Sequence, residues 1–305
     1  MSPRALIVGG TGFVGRHLAQ RLSNRYEVVT SGRADDIRDP KRMLSLVANT
    51  RPEVVVNLAA LTTVRETFQS PRETYEVGLL GLLNLFEALK TCDFKGHFLE
   101  VSSSEIYGIP AADQLPLTEA TPLSPLHPYA VAKLAAEALC HQWRHSEALD
   151  IKIARPFTHI GPGQSSRFSV ANFVHQVAKI MAGRHEPVVR VGDLTTTRDL
   201  TDVRDVVRAY DAIIHQGRSG GIYNVCSGEE IAMRTVLDEL IRLSGMDIEI
   251  VIDAGLLRRA EQLRLRGIYT ALKADTGWQP EIPLISTLKD TLQYALRQSS
   301  ELAAK

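Results

Sequence analysis

Ala5-Leu6-Ile7-Val8-Gly9-Gly10-Thr11-Gly12-Phe13-Val14-Gly15 is the stretch that decides how this chain folds. Four consecutive apolar residues make a strand with no polar face, which suits the interior of a sheet covered on both sides. The glycines that follow permit a tight turn and close backbone approach, and a helical pattern then runs to Leu22. The segment satisfies both G-x-x-G-x-x-G and G-x-G-x-x-G. In this strand–loop–helix setting the loop offers free N–H groups and the positive end of a helix to an anion. Gly9, Gly12, Phe13, Val14 and Gly15 are therefore expected to hold the pyrophosphate of a dinucleotide.

Outward from this loop, short apolar runs alternate with helical patterns. Strands are expected at Glu27 to Thr30, Val54 to Leu58, Phe98 to Ser102 and Ile151 to Ala154. Helices are expected at Arg42 to Ala48, Arg72 to Leu89 and Tyr129 to His145. The alternation predicts an α/β fold with a Rossmann-type, doubly wound parallel sheet. Beyond Pro156 the pattern loosens at Gly161-Pro162-Gly163. Helices follow near Val170 to Met181, Asp205 to Ile214, Arg234 to Leu243 and Ser286 to Leu296, with strands near Val188 to Val191 and Ile248 to Ile252. Residues 1–156, rejoined by about 192–226, are expected to form the dinucleotide-binding domain. Residues 157–191 and 227–305 are expected to form a smaller mixed α/β substrate-binding cap.

Composition narrows the partners. Lys plus Arg number 35 and Asp plus Glu number 35, so no overall charge draws the chain to nucleic acid or an anionic membrane, and an anionic ligand needs a local cluster. Cys92, Cys140 and Cys226 lie far apart, outside any C-x-x-C pair or zinc spacing, and read as buried free thiols in a reducing compartment; no metal site is expected. The apolar run from Ala5 to Val8 is too short for a signal segment or a membrane span, which makes the cytoplasm the expected location.

The nicotinamide cofactor expected is NADP(H), with NAD(H) left open. Where an acid would normally close the second strand to bind a ribose, the chain reads Thr30-Ser31-Gly32-Arg33, and the Arg33 guanidinium suits a 2′-phosphate. Asp35 and Asp36 stand about 20 residues past the last glycine, where a ribose-binding carboxylate belongs.

Tyr129-Ala130-Val131-Ala132-Lys133 is a Y-x-x-x-K pair, whose spacing puts both side chains on one helix face. An ammonium beside a phenol favours the phenolate, and the expectation is a Tyr129 pKa lowered toward neutrality, with the phenol exchanging a proton with a carbonyl or carbinol oxygen. The fourth strand ends in Val101-Ser102-Ser103-Ser104-Glu105-Ile106-Tyr107-Gly108. Ligands of such sheets bind beyond the carboxyl ends of the strands, which places Ser103 to bond the same oxygen. Taken alone, each of these features also fits a plain surface pair or turn. Their order and spacing together point to chemistry.

The chain resembles the extended short-chain dehydrogenase/reductases over nearly its whole length. The matching strings are the glycine loop, Asp36-Ile37-Arg38-Asp39, Asn57-Leu58-Ala59-Ala60, Ser102 to Gly108 and Pro128 to Lys133. The resemblance implies that Asp36 and Ile37 flank the adenine, that Leu58, Ala59 and Ala60 line the cofactor, and that Tyr129 and Lys133 contact it, Lys133 at the nicotinamide ribose. It also implies a homodimer, in which helices carrying Leu79, Leu80, Leu82, Leu83 and Phe86, and Leu134, Ala135, Ala138 and Leu139, pair across a two-fold axis.

Narrower strings are Ala154 to Gln164, Arg198 to Asp205, Tyr223 to Gly228 and Thr276-Gly277-Trp278-Gln279-Pro280. They are similar to the GDP-4-keto-6-deoxy-D-mannose reductases, which make GDP-D-rhamnose, and to the related GDP-mannose 4,6-dehydratases. This implies a nucleotide-sugar substrate whose diphosphate is gripped by Arg198 and Arg258, with Ser103 and Glu105 at the sugar; forked guanidinium donors suit two phosphates. At Thr158 and Gly78 the chain departs from the family, which usually has Asn there, and those positions carry no assigned role. Glu105 stands where the dehydratases hold a base, but the string matches and the shorter C-terminal half favour the reductase over the dehydratase. A silent NAD(P)-binding relative would typically lack the Tyr or the Lys, and both are present.

Overall fold

In the computed structural model, which describes residues 2–256 and 263–301, the first apolar run forms β1 (Arg4–Val8), buried from Ala5 onward. The chain then passes through α1 (Phe13–Leu22), β2 (Glu27–Thr30), α2 (Pro40–Thr50), β3 (Val54–Asn57), α3 (Val64–Gln69) and α4 (Pro71–Tyr75). A π-helical turn at Glu76–Leu80 leads into α5 (Gly81–Thr91), followed by β4 (His97–Val101), α6 (Pro128–Glu147) and β5 (Asp150–Pro156). Next come β6 (Thr158–Ile160), α7 (Ser169–Met181), β7 (Val188–Val191), β8 (Thr197–Arg198), β9 (Leu200–Asp202), α8 (Val203–Gln216) and β10 (Ile222–Val225). The chain closes with β11 (Ile231–Ala232), α9 (Met233–Ser244), β12 (Glu249–Ile252), α10 (Thr270–Thr276) and α11 (Leu284–Glu301).

Six strands pair in parallel in the order β2-β1-β3-β4-β5-β10. The chain moves outward from β1 to β2 and then crosses back to β3 on the other side. That reversal opens a crevice at the carboxyl ends of β1 and β3, the ligand position of a doubly wound sheet. Alternate residues face opposite layers. Ala5, Ile7, Val54, Val56 and Leu99 pack with Leu18, Val206, Tyr210 and Ile213 on one side, and Leu6, Val8, Val55 and Phe98 pack with Met43, Leu82, Leu85 and Phe86 on the other. The Phe86 ring is wedged between Phe98 at 4.9 Å and Trp143 at 5.3 Å, so truncating it to Ala is expected to cost about 3–5 kcal/mol.

A third core joins α7, α9 and α11 to β7 and β12, which pair in parallel. Short pairings, β6 with β9 and β8 with β11, connect this part to the rim of the sheet. Leu272 and Trp278, within the stretch expected in the smaller part, pack under the sheet with Val206, Tyr210 and Tyr223. Cys140 and Cys226 are buried free thiols and Cys92 is partly exposed. No helix among the described residues is long and apolar enough to cross a membrane.

The single helix expected over Arg72 to Leu89 is interrupted. The π turn adds a residue per turn and re-registers the apolar face between Tyr75 and Gly81. Close packing explains where it falls: a Cβ at Gly78 would stand 3.1 Å from the Ala132 Cβ on α6, and one at Gly81 would stand 2.6 Å from the Ile37 Cγ2. The short elements α3, α10, β6, β8, β9 and β11 span too few residues to set a period of their own.

Candidate active site

The glycine loop fits a dinucleotide through what its missing side chains leave free. Gly9, at φ +77°, packs so tightly on the segment just past β3 that a Cβ would meet the Ala59 amide nitrogen at 2.9 Å, and a Cβ on Gly15 would meet the Gly10 carbonyl oxygen at 2.4 Å. The first contact seats the loop beside the end of β3 and the second seats α1 on the loop. Gly12 caps α1 without a side-chain bond, so the helix's first N–H groups keep their donor capacity for an anion. A Cβ there would meet, among the described residues, only the Gly9 carbonyl oxygen, at 3.3 Å, and the helix mouth is otherwise open. The Phe13 ring is stacked on His159 at 6.2 Å and edge-on to His17, and Phe13, Val14 and Gly15 form the first turn of α1.

The residues expected at the adenine follow β2. Ser31 Oγ accepts the Gly9 N–H at 3.4 Å, and Arg33 is exposed beside it. The two carboxylates nearby are already engaged: Asp35 is ion-paired with Arg42, and Asp36 accepts from Arg38 at 2.7 and 3.0 Å, which lowers its pKa. Ile37 is buried among Met43, Leu82 and Leu85, and its carbonyl accepts from Asn84 Nδ2 at 3.0 Å. Leu58, Ala59 and Ala60 are half-buried beyond the end of β3.

The residues expected to be catalytic lie at the neighbouring strand end. Ser103 caps a short 3-10 turn, Ser104–Tyr107, its Oγ accepting the Glu105 N–H at 3.2 Å. With that lone pair taken, its hydroxyl hydrogen is free to donate, and its hydrogen bond to the Tyr129 phenol favours the phenolate. Helix α6 starts just before Tyr129 because Pro128 occupies the first turn and His127 Nδ1 accepts the Ala130 N–H at 3.3 Å. The structure thus unites Ser103, Glu105, Tyr129 and Lys133 at one rim.

The sign of the Tyr129 perturbation is opposite to that expected from sequence. Burial of the phenol raises its pKa above the ordinary value; Lys133 and Ser103 pull it down but do not overcome burial, and Glu105 and Glu100 add to the rise. Residue spacing reveals the ammonium but not the desolvation of a buried phenol. The result is a loaded proton donor rather than a standing phenolate.

Lys133 is buried, with Nζ donating to the Val101 carbonyl at 2.5 Å and to Glu100 Oε1 at 3.3 Å. Burial works against the ammonium, but Glu100 and Tyr129 more than offset it and hold the amine above its ordinary pKa. Glu100 Oε2 in turn accepts from Asn57 Nδ2 at 2.8 Å, and Asn57 Oδ1 accepts the Ala59 N–H at 3.2 Å. Sequence reasoning missed Asn57, Glu100 and His127 as site residues. A signal for Glu100 was present: a carboxylate in His97-Phe98-Leu99-Glu100-Val101, a strand apolar on both faces, requires a buried cation.

Arg198 lies on β8, half-buried, its Nη1 donating to the Thr197 carbonyl at 2.8 Å. The adjacent Asp199 is buried and ties three loops together, accepting from the Ser227 N–H and Oγ at 2.6 and 2.7 Å, the Gly228 N–H at 3.0 Å and the Gly267 N–H at 3.1 Å. Arg258, the other expected diphosphate ligand, lies outside the described residues.

Comparison with known proteins agrees with this geometry. The GDP-6-deoxy-D-mannose reductase of Pseudomonas aeruginosa is 40% identical over 295 residues, covering 96% of this chain and 97% of the relative. A solved structure of RMD from Pseudomonas aeruginosa complexed with NADPH superposes with a TM-score of 0.91 at 39% identity, covering 97% of this chain and 99% of that one. The GDP-mannose 4,6-dehydratase of Sinorhizobium fredii is 27% identical, covering 91% of this chain and 92% of its own length. The family model described as GDP-mannose 4,6 dehydratase matches residues 32–291, and this chain belongs to that family.

Proposed function

We propose that the protein is an NADPH-dependent oxidoreductase that reduces the C4 keto group of GDP-4-keto-6-deoxy-D-mannose to give GDP-D-rhamnose. The observation that carries this reading is the convergence of Ser103, Tyr129 and Lys133 at one strand rim, with burial keeping the phenol's pKa above its ordinary value, in a chain 40% identical over 96% of its length to a GDP-6-deoxy-D-mannose reductase. Reduction of a carbonyl consumes a proton, and a phenol whose pKa is raised keeps one ready to give.

The glycine loop would hold NADPH, with Arg33 at its 2′-phosphate, and the bound cofactor would supply the hydride. Asp36, with Ile37, would flank the adenine, and Leu58, Ala59 and Ala60 would line the cofactor. Tyr129 delivers its proton to the C4 oxygen, and Ser103 donates a hydrogen bond to the same oxygen as negative charge builds there. Lys133 stabilises the phenolate left behind and contacts the nicotinamide ribose. Arg198 and Arg258 hold the diphosphate, and Glu105 bonds a sugar hydroxyl. The smaller part, residues 157–191 with 227–305 apart from the Leu272 to Trp278 stretch packed under the sheet, is the substrate-binding cap in this reading.

A homodimer belongs to the same reading. Leu80 and Val131 are exposed and Leu79, Leu83, Leu134 and Leu139 half-buried on adjoining helical faces, whereas Leu82 and Phe86 are core residues. We place the enzyme's work in the cytoplasm, where the nucleotide cofactor is found.

Mixing the keto-sugar with NADPH and following the absorbance of the reduced nicotinamide tests the assignment. Consumption of NADPH with a GDP-6-deoxyhexose as product supports it. No consumption, together with turnover of GDP-mannose, moves the assignment to dehydratase, the reading that the Glu105 carboxylate beside Ser103 would then favour.

A further inference from the structure

Beneath the rim, Asn57 and Glu100, two polar groups that the proposed reaction does not use, join Lys133 in a chain of hydrogen bonds. Asn57 on β3 and Glu100 on β4 are direct neighbours in the parallel ladder, and Lys133 reaches them from α6. Relative exposure is 2% for Asn57, 0% for Glu100 and 3% for Lys133, so the ion pair is cut off from water. A charge placed there without a partner is strongly unfavourable, and either member alone would give up or take on a proton. The far end of the chain is the Ala59 N–H, in the backbone that lines the crevice.

We infer that Glu100 is a positioning residue for the catalytic pair: together with Asn57 it holds Lys133 charged and fixed beneath Tyr129, and ties that ammonium to the Leu58-Ala59-Ala60 backbone. The inference rests on the reductase reading for its kinetic consequences. Its structural content, a buried carboxylate that keeps a buried lysine protonated, stands apart from the substrate.

The groups facing this pair are few enough to name. On α6 they are Tyr129, which favours the ammonium, together with Glu137 and the Cys140 thiol. Glu137 is committed to Arg155 by bonds of 2.7 and 3.0 Å, so it does not replace Glu100 as a counter-ion. From the strand-end loop Glu105 acts on Tyr129, and from α8 the buried Tyr210 phenol senses Tyr129. Among the described residues, the carboxylate bonded to the Lys133 amine is Glu100. Burial pushes the Glu100 carboxyl above its ordinary value, and Lys133 and Asn57 oppose that rise without cancelling it, so the carboxylate depends on both partners for its charge.

Glu100→Gln removes the charge and preserves the shape. Lysine labelled with carbon-13 at Cε, with Lys133→Arg identifying the resonance, reads the ionisation of Lys133 without any substrate. The Lys133 titration in Glu100→Gln is expected to move down by about one pH unit or more, and the alkaline limb of the pH profile for NADPH oxidation to move with it. Glu100→Asp, which keeps the charge, is expected to restore both. Should Glu100→Gln fail to fold, Asn57→Ser weakens the carboxylate from its other side and is expected to shift both readouts in the same direction, by less.

An unmoved Lys133 titration in the folded variant overturns the inference, as does a moved titration with an unchanged kinetic limb. Failure of the wild-type enzyme to oxidise NADPH with the keto-sugar overturns the reductase reading instead, and the Lys133 titration still decides whether Glu100 holds the charge.

Discussion

His127 Nε2 lies 3.0 Å from Glu105 Oε2, and the imidazole is parallel to the Tyr129 ring with 6.1 Å between centroids. Because Nδ1 accepts the Ala130 N–H, the ring proton is on Nε2 and is donated to the carboxylate. One side chain thus starts the catalytic helix and holds the carboxylate beside Ser103. Replacing His127 with Ala is expected to cost about 1 kcal/mol of stability as the cap is lost. His127→Asn restores a cap but gives Glu105 no partner of the same reach. It is expected to unfold with the wild-type midpoint while turnover falls about tenfold or more. Thermal unfolding and steady-state kinetics on the two variants separate the roles, and equal turnover by His127→Asn and wild type would remove Glu105 positioning from the account.

Tyr129 sets the pH dependence. Its pKa is raised by burial, so the acid form prevails throughout the neutral range and is lost only as pH rises through the raised value. The rate of the reductive step is accordingly expected to be level across about pH 6 to 8 and to fall only in the alkaline range. A decline already beginning near neutrality would show that the phenol is acidified after all. Tyr129→Phe is expected to lower kcat by about 10²–10⁴-fold with NADPH binding retained, as titration of cofactor fluorescence can establish.

Arg33 is expected to govern cofactor choice. With Asp35 and Asp36 committed to Arg42 and Arg38, the exposed guanidinium is the group suited to a 2′-phosphate. Arg33→Ser is expected to raise KM for NADPH by about tenfold or more while leaving KM for NADH nearly unchanged. Equal effects on the two cofactors would assign Arg33 to general binding.

Arg155 and Glu137 form a second buried pair, at 2.7 Å, which is structural. Tyr107 Oη accepts from Arg155 Nη1 at 3.0 Å and donates to Asn224 Oδ1 at 2.7 Å, and burial pushes its own pKa up to about 12. Glu137→Ala strands the guanidinium and is expected to destabilise the fold by about 3–5 kcal/mol in chemical denaturation. A loss below about 1 kcal/mol would mean that water reaches Arg155.

The parts of this molecule that repeat a period or obey a local rule were legible in the sequence. An apolar strand running into glycines dictates the loop at Gly9 to Gly15, and Tyr129 and Lys133 share a helix face because they are four residues apart. What escaped depends on neighbours distant in sequence. Glu100 acquires its meaning from Asn57 on the adjacent strand and Lys133 on the covering helix. The Tyr129 perturbation changes sign because desolvation, which spacing does not reveal, outweighs the lysine. The π turn before α5 answers to the Cβ of Ala132 and the side chain of Ile37, both remote along the chain. His127 reads as a helix start only once the ring is seen to take the place of the usual short polar cap.

The contacts between α1 and the turn at Gly161-Pro162-Gly163 carry one more consequence. Arg16 Nη2 donates to the Gly163 carbonyl at 3.3 Å, His17 Nε2 meets the Pro162 carbonyl at 3.0 Å, and Phe13 stacks on His159. The helix expected to take the dinucleotide's anion is thereby fastened at three joints to the turn that follows β6, so a substitution that slackens any one of them loosens the anchorage of both.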